Sequence, residues 1–86
     1  MAKRMTLVFV GISGPVVADT ATLIAGGQAA FRQAGYKVGD FELEQEVAPG
    51  EICGNISVES TFWRHLKQRG EITFSHGDFT VGAEAP

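Results

Sequence analysis

The chain has 86 residues, 44% hydrophobic and 20% charged, with 11 glycines and a formal net charge of −3, the profile of one small globular domain with a single core. A chain this short buries only roughly 60% of its unfolded surface, so it gains from a partner subunit. Cys53 is the only cysteine, which excludes an intramolecular disulfide and a four-thiolate zinc site and fits a reducing, cytoplasmic setting. The most apolar region, Met5 to Phe31, is interrupted by Asp19, Thr20, Thr22, Gln28 and several glycines, whereas a membrane span needs about 20 nearly uninterrupted apolar residues. Lys3 and Arg4 precede an apolar run as in a secretory leader, but Thr6 to Ile12 is short, β-branched and followed by Gly-Pro, so a strand is expected there and no membrane association.

Thr6 to Ile12 is rich in β-branched and aromatic residues and has almost no polar face, which predicts a strand covered on both sides and central in its sheet. Ser13-Gly14-Pro15 makes a turn, with Pro15 placed to open a helix or its preceding loop. From about Val17 to Ala34 the composition becomes alanine-rich, Leu23, Gly27, Phe31 and Ala34 fall near helical spacing, and Gly35 stands where a left-handed C-cap belongs. Gly26 and Gly27 each cost roughly 1 kcal/mol relative to Ala inside a helix, so either another backbone approaches closely there or the helix breaks.

Tyr36 to Val47 alternates with period 2, placing Phe41, Leu43 and Val47 on one face and Asp40, Glu42, Glu44 and Glu46 on the other. Gly39-Asp40 offers a bulge or a hairpin loop. Pro49 and Gly50 suit the central positions of a type II turn, and Ile52, Gly54, Ile56 and Val58 alternate after it, which gives a β-hairpin. Ser57 or Ser60 can N-cap a short helix with Phe62, Trp63 and Leu66 on one side, Arg64, Lys67 and Arg69 on the solvent side and in the last turn, and Gly70 as its stop. Glu71 to Phe74 and Phe79 to Val81 then flank a turn at Ser75 to Asp78, and residues 82–86, like residues 1–4, are expected to be flexible. The order is strand, helix, strand, strand, helix, strand, with an extra C-terminal hairpin strand as an option. It predicts an α+β two-layer sandwich of the ferredoxin-like or a similar kind, with residues 1–86 as one domain.

Chemistry-bearing patterns are few. Gly11-Ile12-Ser13-Gly14-Pro15 resembles the phosphate loop of P-loop nucleotide kinases and related GTPases across Leu7 to Val38, but a second Gly, a Lys and a Ser/Thr would fall on Asp19, Thr20 and Ala21, so the loop lacks the lysine and hydroxyl that hold phosphates and magnesium. A nucleophile elbow at Ser13 is excluded because Pro15 stands where its glycine must be. Cys53 with His65 or His76 is a conceivable thiol nucleophile and base, although a lone cysteine in an alternating strand serves equally as a small apolar residue. No local spacing of metal ligands exists, and Asn55-Ile56-Ser57 is a glycosylation sequon by pattern only. No catalytic, cofactor or metal residue is therefore expected.

Charge alternates along the chain. Residues 1–35 carry Lys3, Arg4 and Arg32 against Asp19, whereas residues 36–51 carry Lys37 against Asp40, Glu42, Glu44, Glu46 and Glu51. Asp40, Glu42, Glu44 and Glu46 on one strand face would repeat every roughly 6.6 Å, a line of negative charge fit to meet a basic groove on a protein partner. Trp63, Arg64, Lys67 and Arg69 offer the opposite sign and an aromatic, fit to contact phosphates and stack on a base, although a sequence pI near 5.2 is acidic for a nucleic-acid-binding domain. The stretches Ala30-Phe31-Arg32-Gln33-Ala34-Gly35-Tyr36 and Thr61 to Gly70 resemble pieces of small Mu-like prophage proteins, which implies a phage or mobile-element accessory protein and carries no catalytic residue across. The expected function is thus a small non-enzymatic interaction protein that docks on a protein partner or on a second copy of itself. A phage-derived inhibitor of a host system, or an accessory virion component, is the form the resemblance implies, and a nucleic-acid-binding module built on residues 61–69 is the alternative.

Overall fold

The computed structural model describes residues 5–85, so the expectations for residues 1–4 and for residue 86 lie outside the described residues. The elements run β1 (Met5–Ser13), α1 (Thr20–Gln33), β2 (Val38–Ala48), β3 (Glu51–Glu59), α2 (Ser60–Arg69), β4 (Glu71–His76) and β5 (Phe79–Glu84). They form one five-stranded sheet in the order β2-β3-β1-β5-β4, with every adjacent pair antiparallel. The fold is the α+β two-layer sandwich that the element order predicts, and the C-terminal hairpin supplies the additional strand.

Asp19 starts α1: its carboxylate accepts a 2.8 Å hydrogen bond from the Thr22 N–H, satisfying one of the donors left open at a helix N-terminus. At the other end the Tyr36 N–H bonds the Phe31 carbonyl and the Gly35 N–H bonds the Arg32 carbonyl, a Schellman closure that needs the positive φ of 92° at Gly35. Gly26 and Gly27 neither break α1 nor admit another backbone. They admit side chains, since a Cβ at Gly26 would overlap the Phe79 ring and one at Gly27 would overlap Ile12. For α2 the expected serine cap is replaced: Ser57 lies in β3 opposite Leu7, Ser60 is already helical, and Glu59 holds the N-cap position without a side-chain cap bond, its carboxylate accepting instead from the Lys37 N–H at 3.1 Å.

The hairpins follow their turn residues. Gly50 has φ 78°, as the third position of a type II turn requires. Gly77 has φ 61° while Asp78 does not enter the positive region, and His76 pairs with Phe79. That combination is a two-residue loop with Gly in the first central position, whose twist matches the flanking strands.

The core lies between the sheet and the helices. Val8, Val10 and Ile12 of β1, Ile52, Ile56 and Val58 of β3, and Val81 and Ala83 of β5 meet Leu23, Ala30 and Phe31 of α1 and Phe62 and Leu66 of α2. The two helices share that layer, because Phe31 and Phe62 meet edge to face with centroids 5.2 Å apart, and Phe74 and Tyr36 extend the aromatic cluster. Each such pair contributes about 0.5–1.5 kcal/mol beyond area burial.

Two expectations are corrected here. Residues 82–84 belong to β5 rather than to a flexible tail: Ala83 is 2% exposed and pairs with Val10, and the Ala85 N–H donates to the Gly70 carbonyl at 2.8 Å. β1 is central in the sheet, but only its helix-side face is covered by the described residues.

Candidate functional site

Directly opposed residues of an antiparallel pair share a face, so the register fixes the composition of the uncovered side. Along β1 it carries Met5, Leu7, Phe9, Gly11 and Ser13, opposite Glu59, Ser57, Asn55, Cys53 and Glu51 of β3. Beyond β1 the same face continues through Gly82 and Thr80 of β5 to Thr73 and Ser75 of β4. Met5, Leu7 and Phe9 are 43%, 56% and 49% exposed, a row of large apolar side chains down the middle of the sheet. Val8, between Leu7 and Phe9, and Val10, next to Phe9, point into the core.

This face contains a notch of about 670 Å³. β1 pairs with β3 along its whole length, but β5 pairs with β1 only from Val10 to Ser13. At its end β5 stays with β4, and Ala85 turns to the Gly70 carbonyl. The space left beside Met5–Phe9 is lined by Leu7 and Phe9, by Trp63 reaching it from the helix layer, and by Asn55, Thr73 and the Glu71–Glu84 pair. Glu71 and Glu84 stand opposite one another across β4 and β5, two like charges at a spacing where they repel.

The acidic strand does not form the single ladder its alternation suggests. Register shifts fall between Val38 and Phe41, between Leu43 and Gln45, and between Glu46 and Ala48, and each changes the face on which the following side chains emerge. Glu42 pairs with Asn55 and takes the uncovered face, whereas Glu46 pairs with Ile52, and its carboxylate accepts from the Thr20 hydroxyl of α1 on the helix side. Asp40 and Glu44 fall within the shifts. β2 is an edge strand, and bulges with charge on an edge deter strand-to-strand aggregation.

The basic helix presents Arg64, Lys67 and Arg69 to solvent. Arg64 and Lys67 share a side, but Arg69 lies about 200° further round the helix axis at roughly 100° per residue. The Lys67 ammonium sits 5.4 Å from the Trp63 ring centroid, a cation–π contact within the chain over one face of the indole. Trp63 is half-buried, packed against the rim of the core that holds Phe62 and Leu66.

The candidate thiol and its candidate bases are apart. Cys53 emerges on the uncovered face, while the His65 Nδ1 is hydrogen-bonded to Tyr36 Oη at 3.2 Å in the helix layer. His76 is on β4, three strands from β3 in the sheet order, about 14 Å by strand spacing. Among the described residues no three His, Cys, Asp or Glu side chains cluster as metal ligands. No helix of the described residues is long and apolar enough to cross a membrane. The backbone and side-chain hydrogen bonds from Thr22 hold the Asp19 carboxyl below its ordinary pKa of 3.8.

Sequence reasoning missed the row Met5, Leu7 and Phe9 as a site, although the signal was present: a strand apolar on both faces in a chain whose two helices can cover only one. No protein-family model matches the chain, and neither a curated protein nor a solved structure matches it.

Proposed function

We propose that the protein is a non-enzymatic interaction domain that docks a protein partner on the uncovered face of its sheet, around Leu7 and Phe9. One observation carries this reading. The central strand has the composition of a strand buried on both sides, and the described residues bury one side only. Burying a side chain such as Leu or Phe contributes about 1.5–3 kcal/mol, so the exposed row can anchor an interface, as large side chains near the centre of a contact generally do.

The acidic side chains of β2 protect an edge strand in this reading instead of forming the contact. The test compares wild type, Leu7→Glu/Phe9→Glu, Glu42→Lys/Glu44→Lys/Glu46→Lys and Arg64→Gln/Lys67→Gln/Arg69→Gln as baits in cell lysate, each with and without nuclease treatment. A stoichiometric protein retained by wild type and by the β2 variant, but lost by the β1 variant, supports the reading. Loss with the β2 variant alone moves the site to the acidic strand. Capture that depends on nucleic acid and on Arg64, Lys67 and Arg69 replaces it with the nucleic-acid module.

A further inference from the structure

We infer that the partner presents an extended segment that adds as a strand to Met5–Phe9 of β1, fills the notch with alternating apolar side chains, and places a basic residue against Glu71 and Glu84. The inference rests on the docking reading above and names the partner's chemistry. Two independent features of the notch point to this occupant.

The first is the backbone. In an antiparallel sheet alternate residues direct their N–H and C=O groups to opposite neighbours, and β3 satisfies only those on its own side. From Val10 to Ser13 β5 takes the other set. From Met5 to Phe9 no described strand does. Those five residues span about 16 Å at roughly 3.3 Å each, room for one short strand segment in line with β5. An extended peptide gains its affinity from such main-chain bonds and its specificity from pockets for alternate side chains. Leu7, Phe9 and Trp63 supply the pocket walls.

The second is charge. The charged side chains lining the notch are Glu71 and Glu84, with no basic residue among them. They lie opposite each other at the end of β4 and β5. Phe9 is next to Val10, whose partner Ala83 is next to Glu84, so the carboxylates flank the Phe9 end of the free segment. A lysine or arginine there relieves their mutual repulsion and fixes which way the segment lies. A second copy of this chain fits less well, because face-to-face docking would set the glutamates of two like faces, Glu42, Glu59, Glu71 and Glu84, against one another.

The test titrates the full chain with a capped peptide, Lys-Val-Thr-Val-Thr-Val-Lys amide, following the emission of Trp63, the only tryptophan, and amide exchange at Met5–Phe9. Two control peptides carry the same core, one with Glu replacing both Lys and one N-methylated on alternate backbone nitrogens. Sedimentation equilibrium reports self-association. The expected result is saturable binding of the lysine peptide, protection of alternate amides within Met5–Phe9, and at least tenfold weaker binding of both controls and of the lysine peptide to Glu71→Gln/Glu84→Gln. Binding of all three peptides without amide protection overturns strand addition and leaves face docking standing. A dimer abolished by Leu7→Glu/Phe9→Glu, with no peptide bound, assigns the face to a second copy and overturns the inference alone. No peptide binding and no dimer, together with a partner that Leu7→Glu/Phe9→Glu still retains, overturns both readings.

Discussion

Gly26 of α1 lies so close to the ring of Phe79 in β5 that a Cβ at position 26 would overlap the ring. Two effects then oppose each other in a Gly→Ala substitution. Helix propensity favours Ala by about 1 kcal/mol, while forcing a methyl into a packed contact costs about 1–3 kcal/mol. The overlap involves the first ring atoms, which cannot swing away as a side-chain tip can, so packing wins. Gly26→Ala is expected to lower stability in urea unfolding, whereas Gln33→Ala on the exposed last turn is expected to leave it unchanged within about 0.5 kcal/mol.

The two faces of the sheet should respond oppositely to truncation. Ile56 and Phe62 are fully buried, and Ile56→Ala and Phe62→Ala are expected to cost about 2–5 and 3–5 kcal/mol respectively. Leu7→Thr, which puts a β-branched residue of high strand propensity at this exposed position, is expected to change stability by less than about 0.5 kcal/mol. A large loss with Leu7→Thr in the isolated protein would mean that the uncovered face is already buried by self-association.

The lowered pKa of Asp19 makes the α1 cap pH-dependent. A carboxyl whose folded pKa lies below its unfolded value stabilises the fold fully above the unfolded value and loses that contribution as pH falls through the folded one. Asn caps a helix as well as Asp but does not titrate. Wild type and Asp19→Asn should therefore have similar Tm at neutral pH. Below about pH 4 wild type should fall away from the Asn variant, as thermal scans from pH 6 to pH 2 would show.

Tyr36 joins the two helical elements through its hydroxyl bond to His65 and its edge-to-face contact with Phe62. Tyr36→Phe keeps the ring and removes only the hydrogen bond, for an expected loss of about 0.5–1.5 kcal/mol. Tyr36→Ala removes both, and its larger loss relative to Tyr36→Phe measures the aromatic part.

Much of the fold is legible where a residue type answers a local backbone demand. The positions of Gly35, Gly50 and Gly70 alone predict their turns and caps, and each has the positive φ that those roles need. The errors arise where the answer depends on a neighbour distant in sequence. Gly82 and Ala83 look like tail residues, but they pair with Gly11 and Val10 of β1, near the other end of the chain. The phase changes along β2 are set by its pairing with β3, where Gly54 leaves room for the Glu42 carbonyl that a Cβ would displace. No periodicity within Tyr36–Val47 could reveal that. The candidate site is half legible: the doubly apolar pattern of β1 predicts a strand covered on both faces, whereas the described residues cover its helix-side face only and leave Met5, Leu7 and Phe9 exposed.

The sheet order also has a consequence for how the protein forms. β1 emerges first from synthesis, yet both strands that flank it come later, and the Val10–Ala83 pairing closes a loop spanning most of the chain. Loop closure of that length is paid before its contacts give anything back, so contacts of this separation slow folding. Until residues 79–84 arrive, the most apolar strand of the molecule has one neighbour and an open flank, the state in which a nascent chain is most exposed to mispairing and to capture by a chaperone.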